Sequence, residues 1–216
     1  MKVETTSGLI LRTRPLTETS LIVHWLTPDL GRVATVAKGA RRPKSPFAGK
    51  LDLFYTADFS FSRSRSSDLH NLREVKLQET RLTIRQDIGK LNQAAYVTAC
   101  IEAATETETP LPEFFAIIEK FLDLLDREPV RRVNIFALEI KLLRELGLTP
   151  DSKNSRLTTG TKKIAQLLAD QTWPQIFRLR TSADQDDELR HWLHGLLIFH
   201  LGKLPRGRAS VMVSAC

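Results

Sequence analysis

The chain has 216 residues, and its 42% hydrophobic and 26% charged content excludes wholesale disorder. A formal net charge of +7 favours polyanionic partners, nucleic acid before an anionic membrane. The opening residues MKVETTSGLI do not form a signal peptide, and no stretch approaches the roughly 18 apolar residues of a membrane span, so we expect a cytoplasmic protein.

The positive charge is concentrated near the N-terminus. Residues 1–82 contain 14 Lys and Arg against 8 Asp and Glu, a net of +6, whereas residues 83–216 contain 18 against 17, a net of +1. Solubility alone does not require this asymmetry, so we expect the two parts of the chain to have different roles.

Five β-rich runs, separated by turn residues, occupy the first part of the chain: 8–14, 20–27, 32–38, 51–62 and 69–78. The fourth alternates most clearly, with Ala57, Phe59 and Phe61 on one face and Asp58 and Ser60 on the other. Because five short strands leave no room for crossover helices, they predict a small antiparallel barrel, and an OB-fold fits the strand count.

The pattern becomes helical after Leu82, with predicted helices at 91–105, 113–125, 130–146, 161–170, 174–179 and 183–201. Pro129 precedes the third helix and Gly147 follows it, as is typical of helix ends. We therefore predict a five-stranded antiparallel OB-fold barrel over residues 1–80 and an all-α helical domain over residues 81–216.

Catalytic and metal-binding motifs are not found. The AGKL stretch at 48–51 lacks the first glycine and the Ser or Thr of a phosphate-binding loop. His191 and His194 lie one helical turn apart, but His200 lies half a turn round, which favours histidines of a packed helix over metal ligands. Cys100 and Cys216 form neither a disulfide framework nor a zinc motif. We predict no catalytic residue, metal or cofactor.

A basic loop interrupts the predicted barrel. Residues 30–51 contain six cations and no acid: Arg32, Lys38, Arg41, Arg42, Lys44 and Lys50. Such a loop can be merely solvated surface, but a second basic turn with Arg63 and Arg65 favours contact with a phosphate backbone. The predicted DNA contacts are Lys38, Arg41, Arg42 and Lys44, supported by Arg32, Arg63, Arg65 and Arg14. Trp25, Phe54 and Tyr55 could stack on bases, although aromatic residues of barrel strands more often form the core.

Four blocks carry a resemblance to a known family. They are an R-x-x-x-E-x-S pattern through Arg14, Glu18 and Ser20 with Leu21 and Val23, the AKGARR run at 37–42 followed by Ser45, FALEIKLLRELGLTPD at 136–151, and FHLGKLPRGRAS at 199–210. Together they cover nearly the whole chain and resemble the RecO family of bacterial recombination mediators. The AKGARR run is the most specific block.

The resemblance implies an OB-fold barrel followed by helices, without enzymatic turnover. It implies a nucleoid-associated protein of DNA repair and homologous recombination that binds single- and double-stranded DNA. Such proteins anneal complementary strands coated with single-strand-binding protein (SSB) and help load RecA together with RecR. The composition is compatible with this role, because a basic surface lowers the repulsion between two polyanions.

One departure concerns zinc. Many family members carry four cysteines after the segment that corresponds to residues 142–150, but here residues 152–163, SKNSRLTTGTKK, contain none. We therefore expect no zinc finger. Lys153, Arg156, Lys162 and Lys163 could extend the DNA surface, or the segment could be a solvated loop.

The SSB tail ends in acids and an aromatic residue, so its site should combine cations with an apolar pocket. The candidates are Arg131, Arg132, Lys141 and Arg144 on one predicted helix, although Arg131 or Arg132 could equally pair with Asp126 or Glu128. The alternative for the whole protein is a non-catalytic interaction module that binds RNA or acidic proteins.

Overall fold

The computed structural model of the protein describes residues 3–148, 150 and 155–213. The predictions for Lys153 and Cys216 lie outside the described residues, as does part of the 152–163 loop. Residues 155–158 are irregular, and a helix begins directly after them at Thr159.

Five strands form a closed barrel, β1 (Val3–Pro15), β2 (Leu21–Thr27), β3 (Gly31–Ala37), β4 (Thr56–Ser62) and β5 (Leu69–Glu79). Around the barrel the order is β1-β2-β3-β5-β4, and β4 pairs again with β1. The prediction of a five-stranded barrel followed by helices is confirmed. Four pairings are antiparallel, but β3 and β5 are parallel. A closed ring of five strands cannot alternate direction throughout, so one pair must be parallel.

The barrel core follows from the alternation of β4. Ala57, Phe59 and Phe61 point inward and are at most 1% exposed. Trp25 of β2 enters the same core, where its ring stacks on Phe59 with the ring centroids 4.0 Å apart. Its indole N–H donates to Thr35 Oγ1 at 2.8 Å, so the polar end of this buried ring is satisfied.

The start of β4 was predicted at residue 51, but the strand begins at Thr56. Phe54 has a φ of +65°, a left-handed conformation that interrupts an extended strand. The turn is nevertheless held against β1, because Phe54 N–H donates to Ile10 O and Ile10 N–H donates to Tyr55 O, both at 2.9 Å. The turn before β4 is buried and rich in apolar residues, so its composition resembles that of a strand and the start of β4 was predicted too early.

After the barrel, the described residues form seven α-helices: α1 (Ile88–Ala104), α2 (Pro112–Arg127), α3 (Arg132–Glu145), α4 (Thr159–Asp170), α5 (Trp173–Arg178), α6 (Ala183–Leu201) and α7 (Arg208–Val213). The ends of α6 are those predicted, but α7 and a 3₁₀ turn at Leu82–Arg85 were missed, because so few residues show no clear period. No helix in the described ranges is long and apolar enough to cross a membrane.

The chain divides into two units. The first, the barrel unit, consists of Met1–Arg81 and Thr105–Ala116, and the second, the helical unit, consists of Leu82–Ala104 and Ile117–Cys216. Thr105–Ala116, which we call the return segment, thus belongs to the barrel unit. A single boundary at residue 80 would assign this segment to the helical part of the chain. The division into a nucleic-acid-binding domain at 1–80 and a helical domain at 81–216 stays a prediction.

A buried ion pair joins three helices of the helical unit. Arg208 of α7 donates two hydrogen bonds to Glu139 of α3, at 2.8 and 2.9 Å, and the two side chains are 5% and 0% exposed. Tyr96 of α1 donates its hydroxyl to Glu139 Oε1 at 2.5 Å. Burial, followed by the negative charge of Glu139, raises the pKa of Tyr96, which keeps this hydroxyl protonated as a donor.

Candidate nucleic-acid interface

The basic loop, residues 38–50, leaves the end of β3 and is held by a series of turns. Backbone N–H groups donate to the carbonyl three residues earlier at five positions, Ala40, Arg42, Ser45, Ala48 and Lys50. Phe47 lies in the second half of the loop, is 7% exposed and packs in the barrel core. The loop is therefore anchored, and its charged side chains project from a fixed backbone.

The four principal predicted contacts are all exposed: Lys38, Arg41, Arg42 and Lys44. Among the described residues, no ion pair or side-chain hydrogen bond engages Lys38, Arg42 or Lys44. Arg41 donates from Nη1 to the carbonyl oxygen of Thr17 at 3.3 Å, which leaves its charge without a carboxylate partner. The loop thus presents four cations that no acid of this part of the chain neutralises.

The connection between β1 and β2 lies against the basic loop. Arg41 N–H donates to Thr19 O at 3.0 Å, and Gly39 N–H donates to the Ser20 hydroxyl at 3.4 Å. Arg14, at the end of β1, is exposed and contacts His24 of β2 through Nη2 and Nε2, 3.1 Å apart. Arg14 is thus an exposed cation next to a connection that contacts the basic loop, and its role as a DNA contact stays a prediction.

Two predicted supporting contacts make internal contacts instead. Arg32 donates from Nη2 to the carbonyl oxygen of Thr105 at 2.6 Å and is only half exposed. Arg63 contacts two carboxylates, donating to Glu4 at 3.0 and 3.1 Å and to Glu108 at 3.1 Å. Hydrogen bonding to Glu4 is the main cause that raises the pKa of Arg63. In contrast, Arg65 of the same turn is exposed and has no ion pair within the described residues.

Sequence reasoning missed His70 and Glu108. His70 is 3% exposed, its ring stacks on Phe61 with the centroids 5.2 Å apart, and its Nε2 lies 2.9 Å from Glu108 Oε1. Partial burial raises the pKa of Glu108, but hydrogen bonds from His70 and Arg63 outweigh it, so the pKa is lowered overall. Only the two acids of the TETET stretch at 105–109 could have suggested a partner for these cations, because Glu108 lies far from His70 and Arg63 in the chain.

The predicted stacking aromatics are not available to bases. Trp25, Phe54 and Tyr55 are 0%, 3% and 7% exposed. Trp25 and Tyr55 pack in the barrel core, and Phe54 is buried in the turn before β4. The stacking hypothesis is therefore wrong for these residues. Aromatic residues on barrel strands have the largest apolar area to bury, and here the core takes them.

The four cations predicted on one helix of the helical unit lie at its two ends. Arg131 and Arg132 are at the start of α3, whereas Lys141 and Arg144 are about 14 to 20 Å further along its axis near the C-terminal end. Lys141 donates to the carbonyls of Ala169 and Gln171 at 3.1 and 2.9 Å, and Arg144 donates to Ala169 O at 3.1 Å.

Arg144 also pairs with Asp170 at 2.9 Å, and Lys141 Nζ lies 5.6 Å from the ring centroid of Trp173. Desolvation, with the charge of Arg144, lowers the pKa of Lys141. These two cations therefore complete the C-terminal end of α4, where carbonyl groups attract positive charge.

Arg132 lines two cavities of the helical unit, each of about 440 Å³. The first is lined by Val130, Arg131, Arg132, Val133, Leu179, Arg180, Thr181 and Asp186. The second combines basic side chains with apolar ones: Arg132, Asp187, Arg190, His194, Leu204, Arg208, Ala209 and Met212. Arg131 donates to Leu179 O at 3.3 Å, and the expected ion pairs of Arg131 or Arg132 with Asp126 or Glu128 are not found among the described residues.

The described residues offer neither a metal-binding cluster nor a reactive thiol. No cluster of three or more His, Cys, Asp or Glu there could hold a metal ion. His191 and His194 are exposed on α6, and His191 Nδ1 contacts the carbonyl of Asp187 at 2.8 Å. Burial raises the pKa of the Cys100 thiol, which is 3% exposed, and this disfavours a reactive thiolate.

Two family models match most of the chain. Residues 1–81 match the model described as Recombination protein O N terminal, and residues 85–156 match the model described as Recombination protein O C terminal. The boundary between the two matches lies at the end of the barrel strands, close to the division between Arg81 and Leu82.

Curated relatives agree with the family models. The chain is 32% identical over 143 residues to the DNA repair protein RecO of Rhodopirellula baltica, a match that covers 66% of this chain and 53% of the relative. It is 31% identical to proteins of the same name from Alkaliphilus metalliredigens, covering 67% and 58%, and from Bacillus subtilis, covering 67% and 56%. The chain thus spans little more than half the length of the curated relatives it matches.

Proposed function

The chain belongs to the RecO family, and from that premise we propose that it is a non-catalytic mediator of DNA repair and homologous recombination. The observation that carries the proposal is the basic loop, which presents four exposed cations without a carboxylate partner from an anchored turn on an OB-type barrel. Lys38, Arg41, Arg42 and Lys44 are the proposed phosphate contacts, extended by Arg14 and Arg65.

Phosphate contacts of this kind favour annealing over sequence recognition. Lys and Arg side chains neutralise phosphates and release counterions, so they bind single and double strands of any sequence. The buried aromatics leave no stacking platform among Trp25, Phe54 and Tyr55 that would hold individual bases. Two strands bound mainly through phosphates can slide into register, and their mutual repulsion is reduced meanwhile.

The proposed partners follow from the family. We propose that the protein acts on SSB-coated strands and helps load RecA together with RecR, in a nucleoid-associated role. For the acidic SSB tail, Arg132 is the favoured candidate, because it lines a cavity with Leu204 and Met212 that suits an apolar, acidic peptide end. Lys141 and Arg144 are disfavoured because they already bind the end of α4.

The experiment that tests the main proposal is annealing of two complementary labelled oligonucleotides coated with cognate SSB, at two salt concentrations. We expect the protein to accelerate annealing at low salt, and Arg41→Ala with Arg42→Ala to remove most of that acceleration. Lys120→Ala with Arg127→Ala, which removes the same charge from exposed positions of α2, serves as the control.

Two outcomes would contradict the proposal. If DNA binding is intact but annealing is not accelerated, the protein is a binding module rather than a mediator. Equal affinity for RNA and DNA oligonucleotides, again without annealing, would favour the alternative of an interaction module for RNA or acidic proteins.

The SSB-tail assignment has a separate test. A fluorescent peptide with the acidic, aromatic end of an SSB tail should bind the protein, and Arg132→Ala should weaken binding. Arg144→Ala should leave it unchanged, because Arg144 pairs with Asp170 instead. Equal effects of the two substitutions would contradict the assignment of the cavity.

A further inference from the structure

Two donors of the barrel unit converge on one carboxylate. Arg63 donates from Nη1 to Glu108 Oε2 at 3.1 Å, and His70 Nε2 lies 2.9 Å from the other oxygen, Oε1. The two oxygens of a single anionic group are thus bound from two separate elements, the turn after β4 and strand β5. The two non-bridging oxygens of a phosphodiester are similarly spaced, and they accept the same pair of hydrogen bonds.

His70 is a fixed donor. Its Nδ1 accepts a hydrogen bond from the backbone N–H of Ser64 at 3.4 Å, which places the ring proton on Nε2 in the neutral form. The ring is 3% exposed and stacks on Phe61, so its orientation is set by packing. The donor therefore exists whether or not the imidazole is charged.

Arg63 is fixed as well. Glu4 of β1 accepts from its Nε at 3.0 and 3.1 Å, which orients the guanidinium and leaves Nη1 directed at Glu108. The Arg63 guanidinium carbon also lies 6.0 Å from the ring centroid of Phe61. Both donors are consequently in place before any ligand binds, which reduces the cost of binding an anion.

The return segment delivers Glu108 to this site through its backbone. Glu108 N–H donates to Arg32 O at 3.0 Å, and the residue has a φ of +55°. The backbone of the following residue, Thr109, packs closely against Gly31, because a Cβ on Gly31 would lie 2.0 Å from Thr109 O. The backbone is therefore held, but the Glu108 side chain is 42% exposed and can turn toward solvent while the backbone stays.

We propose that Arg63 and His70 form an anion site for a phosphodiester of nucleic acid, and that Glu108 occupies this site as an internal competitor. The inference rests on the proposed function, since it extends the same barrel surface. Arg65, exposed two residues beyond Arg63, is available to the same phosphate backbone. Glu108 limits binding at this end of the surface until a strand displaces its side chain.

The test compares Glu108→Gln with Glu106→Gln. The two substitutions remove the same charge from the same segment, but Glu106 is exposed and makes no ion pair within the described residues. Affinity for a single-stranded oligonucleotide is measured by fluorescence anisotropy at low salt, at a temperature well below both melting temperatures. We expect E108Q to bind about twofold to fivefold more tightly than E106Q, the range expected from an exposed ion pair.

A second pair of variants identifies the site. In an Arg63→Gln background, Glu108→Gln should no longer tighten binding, because the masked donor is gone. Melting temperatures show whether Glu108 has only a stabilising role. A lower melting temperature of Glu108→Gln with an unchanged DNA affinity overturns the proposal.

The outcomes separate this inference from the proposed function. Wild-type binding with equal affinities for E108Q and E106Q overturns the anion site alone. If neither the wild-type protein nor the variants bind DNA, the proposed function and this inference are both overturned. A gain that persists in the Arg63→Gln background overturns the assignment of Arg63 and His70 as the site.

Discussion

The basic loop of the barrel unit and helix α3 of the helical unit, with Arg131 directly before it, each carry four cations that the sequence marked as contacts, but the two sets make different contacts. In the loop, Lys38, Arg42 and Lys44 are exposed and make no ion pair within the described part of the chain. On α3, Lys141 and Arg144 bind carbonyl groups at the end of α4. The sequence marked the same number of cations in each region, but the availability of their charge differs.

The surroundings of a cation therefore decide whether it can bind a partner. A helix packed among others brings its long side chains to the ends of its neighbours, where carbonyl groups and acids accept them. The loop is anchored by Phe47 while its charged residues extend into solvent. We therefore expect substitutions in the helical unit to change stability and substitutions in the loop to change DNA binding.

The largest expected effect is on the buried ion pair of the helical unit. Arg208→Ala leaves Glu139 charged and buried without its cation, which should cost about 3–5 kcal/mol of unfolding free energy. Chemical denaturation measures this loss. Arg206→Ala, at an exposed position two residues away, should cost less than about 0.5 kcal/mol. Similar losses for both variants would show that the pair has no special role.

The next effect is on the loop. Arg41→Ala with Arg42→Ala should reduce the slope of log affinity against log salt by about one to two units, since each phosphate contact contributes about 0.7 to 0.9. The reduction should be alike for oligonucleotides of different sequence, and stability should hardly change. Lys120→Ala with Arg127→Ala controls for net charge. A wild-type slope in the loop variant would contradict the assignment.

A smaller effect should follow from Lys141→Ala. The substitution removes two hydrogen bonds to carbonyls of the α4 end, although Arg144 still donates to one of them, so we expect a loss of about 1 kcal/mol in stability. DNA affinity should stay at the wild-type value. A fall in DNA affinity without a fall in stability would contradict the proposal that Lys141 has a structural role and does not contact DNA.

The smallest effect concerns pH and Glu108. Because its pKa is lowered on folding, ionised Glu108 stabilises the barrel unit above its unfolded pKa of about 4.3, and this contribution is lost as pH falls through the lower folded pKa. The melting-temperature difference between wild type and Glu108→Gln should therefore shrink below about pH 4.3. Glu106→Gln should show no such convergence, and a difference that is constant with pH would contradict the assignment.

Much of the fold could be predicted from sequence because it depends on local periodicity. The alternation of Phe59 and Phe61 identified β4, and the pattern of α6 gave both of its ends. The start of β4 was misplaced because the turn at Phe54 buries apolar residues without being extended. The exposure of the basic loop was also predictable, since 22 positions without an acid offer no local partner for its cations.

Local patterns in the sequence predicted the barrel, six of the seven described α-helices, the family resemblance and the position of the basic loop. Tertiary structure alone decided which cations are engaged. Arg63 meets Glu4 and Glu108, which lie 59 and 45 residues away, so no local pattern could identify these partners. The inward direction of Trp25 and the return of Thr105–Ala116 to the barrel are decided in the same way. The physical reason is that local periodicity shows which face of a strand or helix is apolar. The partner of a charged side chain depends instead on residues that are distant in sequence and that only the folded chain brings together.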